Sequence, residues 1–143
     1  QSEVNESLSF EISNLMRVSN NLERIGNSVE NISHLIEDIL EKNLPLSLQA
    51  QQDINAISTQ VIEFLDLVSE NIKNESPHLL EEAKKMENAI DSMREEMRQT
   101  HVERLKQNIC KVDSGLLYIE MLTRFEKIGD WCYNIAKALS KNK

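Results

Sequence analysis

Pro45 and Pro77 are the only prolines in 143 residues, and Gly26, Gly115 and Gly129 are the only glycines. A sheet protein needs a tight turn roughly every 8–12 residues, and those turns draw heavily on glycine and proline. With so few turn formers, long helices are what remains. The hydrophobic periodicity agrees. Leu8, Ile12, Leu15, Leu22, Val29 and Ile36 follow alternating four- and three-residue steps or their sums, and Ser19, Gly26 and Ser33 fill the missing positions. A second row, Val18, Ile25, Ile32 and Ile39, runs beside it at seven-residue intervals. Together the rows predict a long amphipathic helix over about residues 6–43. The small residues of the first row predict close approach of a neighbouring helix at those levels.

Pro45 closes this helix, because its ring removes a backbone donor and clashes with the preceding turn. The second helix, about 47–74, carries Ile54, Ile57, Val61, Phe64 or Leu65, Val68 and Ile72. Asn74-Glu75-Ser76-Pro77 reads as a turn, with Ser76 as N-cap and Pro77 at the first position of a third helix over 77–106. That helix turns Leu79, Ala83, Met86, Ile90, Met93 and Met97 inward, the methionines as core filling. Gln107 to Lys111 is a connection without a strong breaker. The fourth helix, 112–140, places Leu116, Ile119, Leu122, Phe125, Ile128, Ile135 and Leu139 inside. Short links force antiparallel neighbours, so residues 1–143 are expected to form a single all-α domain, an antiparallel up-down four-helix bundle. A long intermolecular coiled coil fails because Pro45 and Pro77 break its register.

Charge narrows the function. With 24 acidic against 16 basic residues the net charge is -8, which argues against nucleic acid and against electrostatic docking on an anionic bilayer. The longest uninterrupted apolar run, Leu116 to Ile119, is far short of the ~20 residues of a membrane span. A start at Gln1 with no signal-peptide pattern suggests a fragment of a larger protein. On one straight helix Cys110 and Cys132 would be roughly 33 Å apart, too far for a disulfide, so reduced thiols in the cytoplasm are expected. His34, His78 and His101 are isolated, no catalytic triad can be assembled, and no glycine-rich loop could cradle phosphate. The chain is not expected to be an enzyme.

Two stretches repeat each other. Residues 21–32 read Asn-Leu-Glu-Arg-Ile-Gly-Asn-Ser-Val-Glu-Asn-Ile, and residues 124–135 read Arg-Phe-Glu-Lys-Ile-Gly-Asp-Trp-Cys-Tyr-Asn-Ile. Internal duplication explains so much agreement. Leu22-Glu23-Arg24-Ile25-Gly26 and Phe125-Glu126-Lys127-Ile128-Gly129-Asp130, each followed by Asn-Ile, resemble the signature of PhoU proteins. His101 to Leu105, Gly115 to Tyr118 and Leu122-Thr123 resemble more closely the PhoU-like cytoplasmic tail of bacterial sodium/phosphate cotransporters. The resemblance implies one three-helix repeat over residues 46–141, with 6–43 as the last helix of a preceding repeat. It also implies a helical regulator of phosphate transport and signalling, some relatives of which hold iron or zinc.

Residues four apart share a helix face, so Glu126 and Asp130 set two carboxylates side by side, and a multivalent cation would relieve their repulsion. In PhoU this spacing is the metal-binding motif. Glu87 and Asp91 repeat the spacing on the third helix and could face the first pair, completing a site with iron or zinc as the candidate ion. The bland alternative is an ordinary solvated acidic face with Lys127 or Arg94 as counter-ions. In the first copy Asn27 stands where an acid is expected after Glu23, so that half-site is weaker, although Glu30 and His34 continue along roughly the same face. Three functions follow. The first is a non-catalytic cytoplasmic regulatory domain of a sodium/phosphate cotransporter, docking on its own transmembrane part or on a second protomer as a homodimer. The second is a free-standing PhoU-type regulator. The third is a carboxylate bundle that binds or stores metal.

Overall fold

The computed structural model describes residues 3–109 and 111–140. Within them lie four helices and no strand: α1 (Glu3–Glu41), α2 (Leu48–Lys73), α3 (Leu79–Lys106) and α4 (Val112–Ser140). The helix ends have local causes. Ser47 caps α2, its hydroxyl accepting from the Ala50 amide at 3.1 Å. α1 and α3 both stop at asparagines in the left-handed conformation, Asn43 (φ 52°) and Asn108 (φ 56°). Behind each, the next amide reaches back five residues, Leu44 to Ile39 and Ile109 to Arg104. This is the closure usually made by glycine. Asn43 therefore stops α1 before Pro45 is reached, and Asn108 is the breaker of the α3–α4 connection. Ser76 and Pro77 do not start α3. The helix begins after His78, and the Ser76 hydroxyl accepts from the His78 amide inside the preceding turn.

α2, α3 and α4 pack against one another as a three-helix bundle, and α1 lies along α4 alone. The core runs between them: Ile57, Val61, Phe64 and Val68 of α2 meet Leu79, Ala83 and Ile90 of α3 and Tyr118, Leu122, Ile128 and Ile135 of α4. Met86, Met93 and Met97 are half-buried against this core, as are Phe125 and Trp131. Leu116, expected inside, is exposed.

The first helix corrects the expected face. Val18, Ile25 and Ile32, the second row, are buried with Asn14, Asn21 and Ser28. The first row, from Leu8 to Ile36, faces outward. Antiparallel α1 presents Asn21 to α4, where its side-chain carbonyl accepts from the Asn134 amide at 3.3 Å while its own amide donates to the Arg17 carbonyl. Among the described residues no helix is long and apolar enough to cross a membrane. Cys132 is a free, buried thiol, pushed up to about 12 by burial. Cys110, and with it the expected thiol separation, lies outside the described residues.

Candidate metal centre

Midway along their contact, Ile90 of α3 packs on Gly129 of α4. A Cβ on Gly129 would lie 3.2 Å from Ile90 Cδ1, tighter than ordinary van der Waals contact. The predicted acids flank this contact: Glu87 and Asp91 bracket Ile90, and Glu126 and Asp130 bracket Gly129. Close helix approach thus becomes close approach of carboxylates. Glu87, Asp91 and Asp130 each offer a carboxylate oxygen, all within 4.8 Å of one another, and all three residues are half-buried.

Glu126 is directed elsewhere. Its Oε2 accepts from Arg94 at 3.0 Å, and the same guanidinium lies 3.5 Å from Thr123 Oγ1. The arrangement is three acids together and the fourth paired. Glu23 and Asn27, the weaker half-site, sit on the exposed surface of α1, which does not reach α3. Glu30 and Glu37 flank the exposed His34, each at 3.6 Å from a ring nitrogen.

Burial, then the charges of Glu126, Asp91 and Glu87, push the Asp130 carboxyl up to about 6, with Lys127 working the other way. Burial raises Glu87 as well, partly offset by Lys84 and reinforced by Asp91. Glu87 Oε2 is hidden from solvent and has no hydrogen-bond partner. An orphaned buried oxygen of this kind costs on the order of 1–3 kcal/mol, more when it is charged. A cation between the three carboxylates would supply the missing partner and cancel the mutual repulsion. The donors are all oxygen, which suits hard divalent ions, ferrous iron among them; zinc also accepts carboxylate ligands. The residues fit the expected group.

Sequence reasoning missed a second polar cluster, roughly four turns away along α4. Arg104, in the last turn of α3, has its guanidinium nitrogens hidden and without hydrogen bonds, and Ser114, in the first turn of α4, has a buried, unpartnered hydroxyl. No spacing rule connects the end of one helix to the start of the next, so no signal of this kind was available.

Among known families, the PhoU domain matches the chain over residues 54–139. It takes in most of α2, all of α3 and α4 up to its penultimate residue, so the carboxylate cluster lies wholly inside it. No curated protein and no solved structure matches the chain.

Proposed function

The chain belongs to the PhoU domain family of helical regulators of phosphate transport, and on that premise we propose that it is a non-catalytic regulatory domain that works by docking. The observation that carries this reading is the outward face of α1. By the internal repeat, Gly26 corresponds to Gly129. The α4 glycine is covered by Ile90, whereas nothing lies within 4 Å of a Cβ built on Gly26. Along it Ile36 is 44 % exposed and Leu15 66 %, with Ile12, Leu22 and Val29 between these values. An apolar stripe of this length marks an interaction surface.

The occupant that suits it is a helix of the α3 type, carried by a preceding repeat of the same protein. The resemblance of residues 101–123 to cotransporter tails supports placing that protein in a sodium/phosphate cotransporter, with the domain at the cytoplasmic face. A free-standing regulator would use the same face on a separate transporter or a second protomer. The test is phosphate uptake by cells expressing the full-length gene with Leu22→Glu and Val29→Glu. Docking requires that uptake lose its response to phosphate supply while the thermal melt of the chain moves by only a few degrees. Unaltered regulation would remove the reading.

A second reading rests on the orphaned oxygen of Glu87. Glu87, Asp91 and Asp130 would hold one divalent cation, with Arg94 keeping Glu126 aside. The bound ion would supply positive charge that ties α3 to α4. Calorimetric titration with ferrous, manganese or zinc ions should give saturable binding that Asp130→Asn weakens at least tenfold. No heat with any of the three would rule the cluster out as a site.

A further inference from the structure

Where α2 and α4 begin and α3 ends, the bundle holds a cavity of about 210 Å³, the space of roughly seven waters. In a chain of net charge -8 its lining contains no carboxylate, yet it contains Arg104 and Lys111. Neither takes part in an ion pair among the described residues. The Arg104 guanidinium lies over the Tyr118 ring at 5.8 Å with its three nitrogens hidden from solvent; the neighbouring Tyr118 hydroxyl donates to Asp53 Oδ2 at 2.6 Å, and no nitrogen of Arg104 makes a well-aligned hydrogen bond. A buried acid can escape its desolvation cost by taking up a proton. Arginine cannot lose one in a protein, so its charge stays and calls for an anion.

Two further donors converge here. Ser114 is 4 % exposed, lines the cavity and has a hydroxyl with no partner. It stands in the first turn of α4, whose opening amides precede the first helical hydrogen bond, from Gly115 to the Lys111 carbonyl at 3.0 Å. His101 closes the wall against Gly115, where a Cβ would come within 2.6 Å of its Nε2.

We propose that this cavity binds a tetrahedral oxyanion the size of phosphate or sulfate, held by Arg104, the Ser114 hydroxyl and the α4 N-terminus, with exposed Lys111 at the rim. The inference is independent of both the docking and the metal readings. It is tested by melting the chain in buffer free of phosphate and sulfate, adding inorganic phosphate, sulfate or adenosine monophosphate at an ionic strength fixed with sodium chloride. Phosphate or sulfate should raise the melting temperature saturably beyond the chloride control. A response to adenosine monophosphate as well would identify the phosphoryl group of a larger ligand as the source, and its absence would identify the free ion. Arg104→Met should weaken the apparent affinity at least tenfold and Ser114→Ala several-fold, with Lys73→Gln, an exposed cation at the other end of α2, neutral. Arg104→Met removes a buried unpaired charge, so without phosphate it should melt no lower than the parent chain. Equal shifts with phosphate and chloride, or a full phosphate response in both Arg104→Met and Ser114→Ala, would overturn the proposal.

Discussion

Gly26 and Gly129 sit in the same local sequence, and the fold gives them opposite surroundings. Alanine in place of a mid-helix glycine favours the helix by about 1 kcal/mol where there is room. At Gly26 there is room, so Gly26→Ala should stabilise the chain by about 0.5–1 kcal/mol in urea unfolding. At Gly129 the new methyl meets Ile90, which is fully buried and has little freedom to retreat. Overpacking of this kind costs about 1–3 kcal/mol, so Gly129→Ala should be net destabilising, and adding Ile90→Val, which removes the obstructing Cδ1, should recover part of the loss. Equal effects at both glycines would refute the packing role. The Ile-Gly motif was legible as a packing signal; that only one copy has a partner was not, because the partner lies outside the motif. Asp130 gives a second measurement at this scale. Its ordinary value is 3.8 and its folded value about 6, so between these pH values the folded chain holds a proton that the unfolded chain has released. The resulting stabilisation is complete below the unfolded value and is lost as pH rises through the folded one. With a chelator present, Asp130→Asn should therefore melt above the parent at pH 7, and the gap should narrow by pH 5. A gap independent of pH would mean that the carboxyl is not perturbed.

At the scale of the element, periodicity fixed where the helices run, and α1 shows what periodicity leaves open. Its two aliphatic rows are about equally apolar, and Ser19, Gly26 and Ser33 made the first look like the close-packed side. The inward face is instead set by what α4 presents. Asn21 is acceptable inside because Asn134 and the Arg17 carbonyl satisfy its amide, a pairing visible only once α4 is in place. The consequence is measurable. Ile25→Ala, in the buried row, should cost about 2–4 kcal/mol, and Leu22→Ala, three residues earlier in the exposed row, under about 0.5 kcal/mol. The reverse order would restore the outward row to the core. The helix stops were equally hard to read. Asparagine is a weaker left-handed cap signal than glycine, so the end of α1 was credited to Pro45, and Asn108 fell in a connection without a strong breaker.

For the whole molecule, α4 is the shared wall: it packs on every other helix, and α1 packs on nothing else. The stability of α1 therefore comes from one side only. Its last turn has no basic residue, and Glu37, Asp38 and Glu41 set negative charge against the negative end of the helix dipole. α2 and α3, each held by two neighbours, have no comparable weakness. Local opening follows such differences in support, so α1 should separate from α4 without the three-helix bundle unfolding. Native-state hydrogen exchange of the metal-free chain should then show α1 amides at least tenfold less protected than those at the centre of α4, with protection declining toward Glu41. Filling the outward face would add the second side that α1 lacks, so a docked helix should raise protection along Leu15–Ile36 and leave α2 unchanged. A cation bridging Glu87, Asp91 and Asp130 should do the opposite, strengthening α3 and α4 while α1 still opens. If α1 and α4 exchange together at the global limit, α1 is an integral part of the bundle, and a face that must open and refill ceases to be a plausible means of regulation.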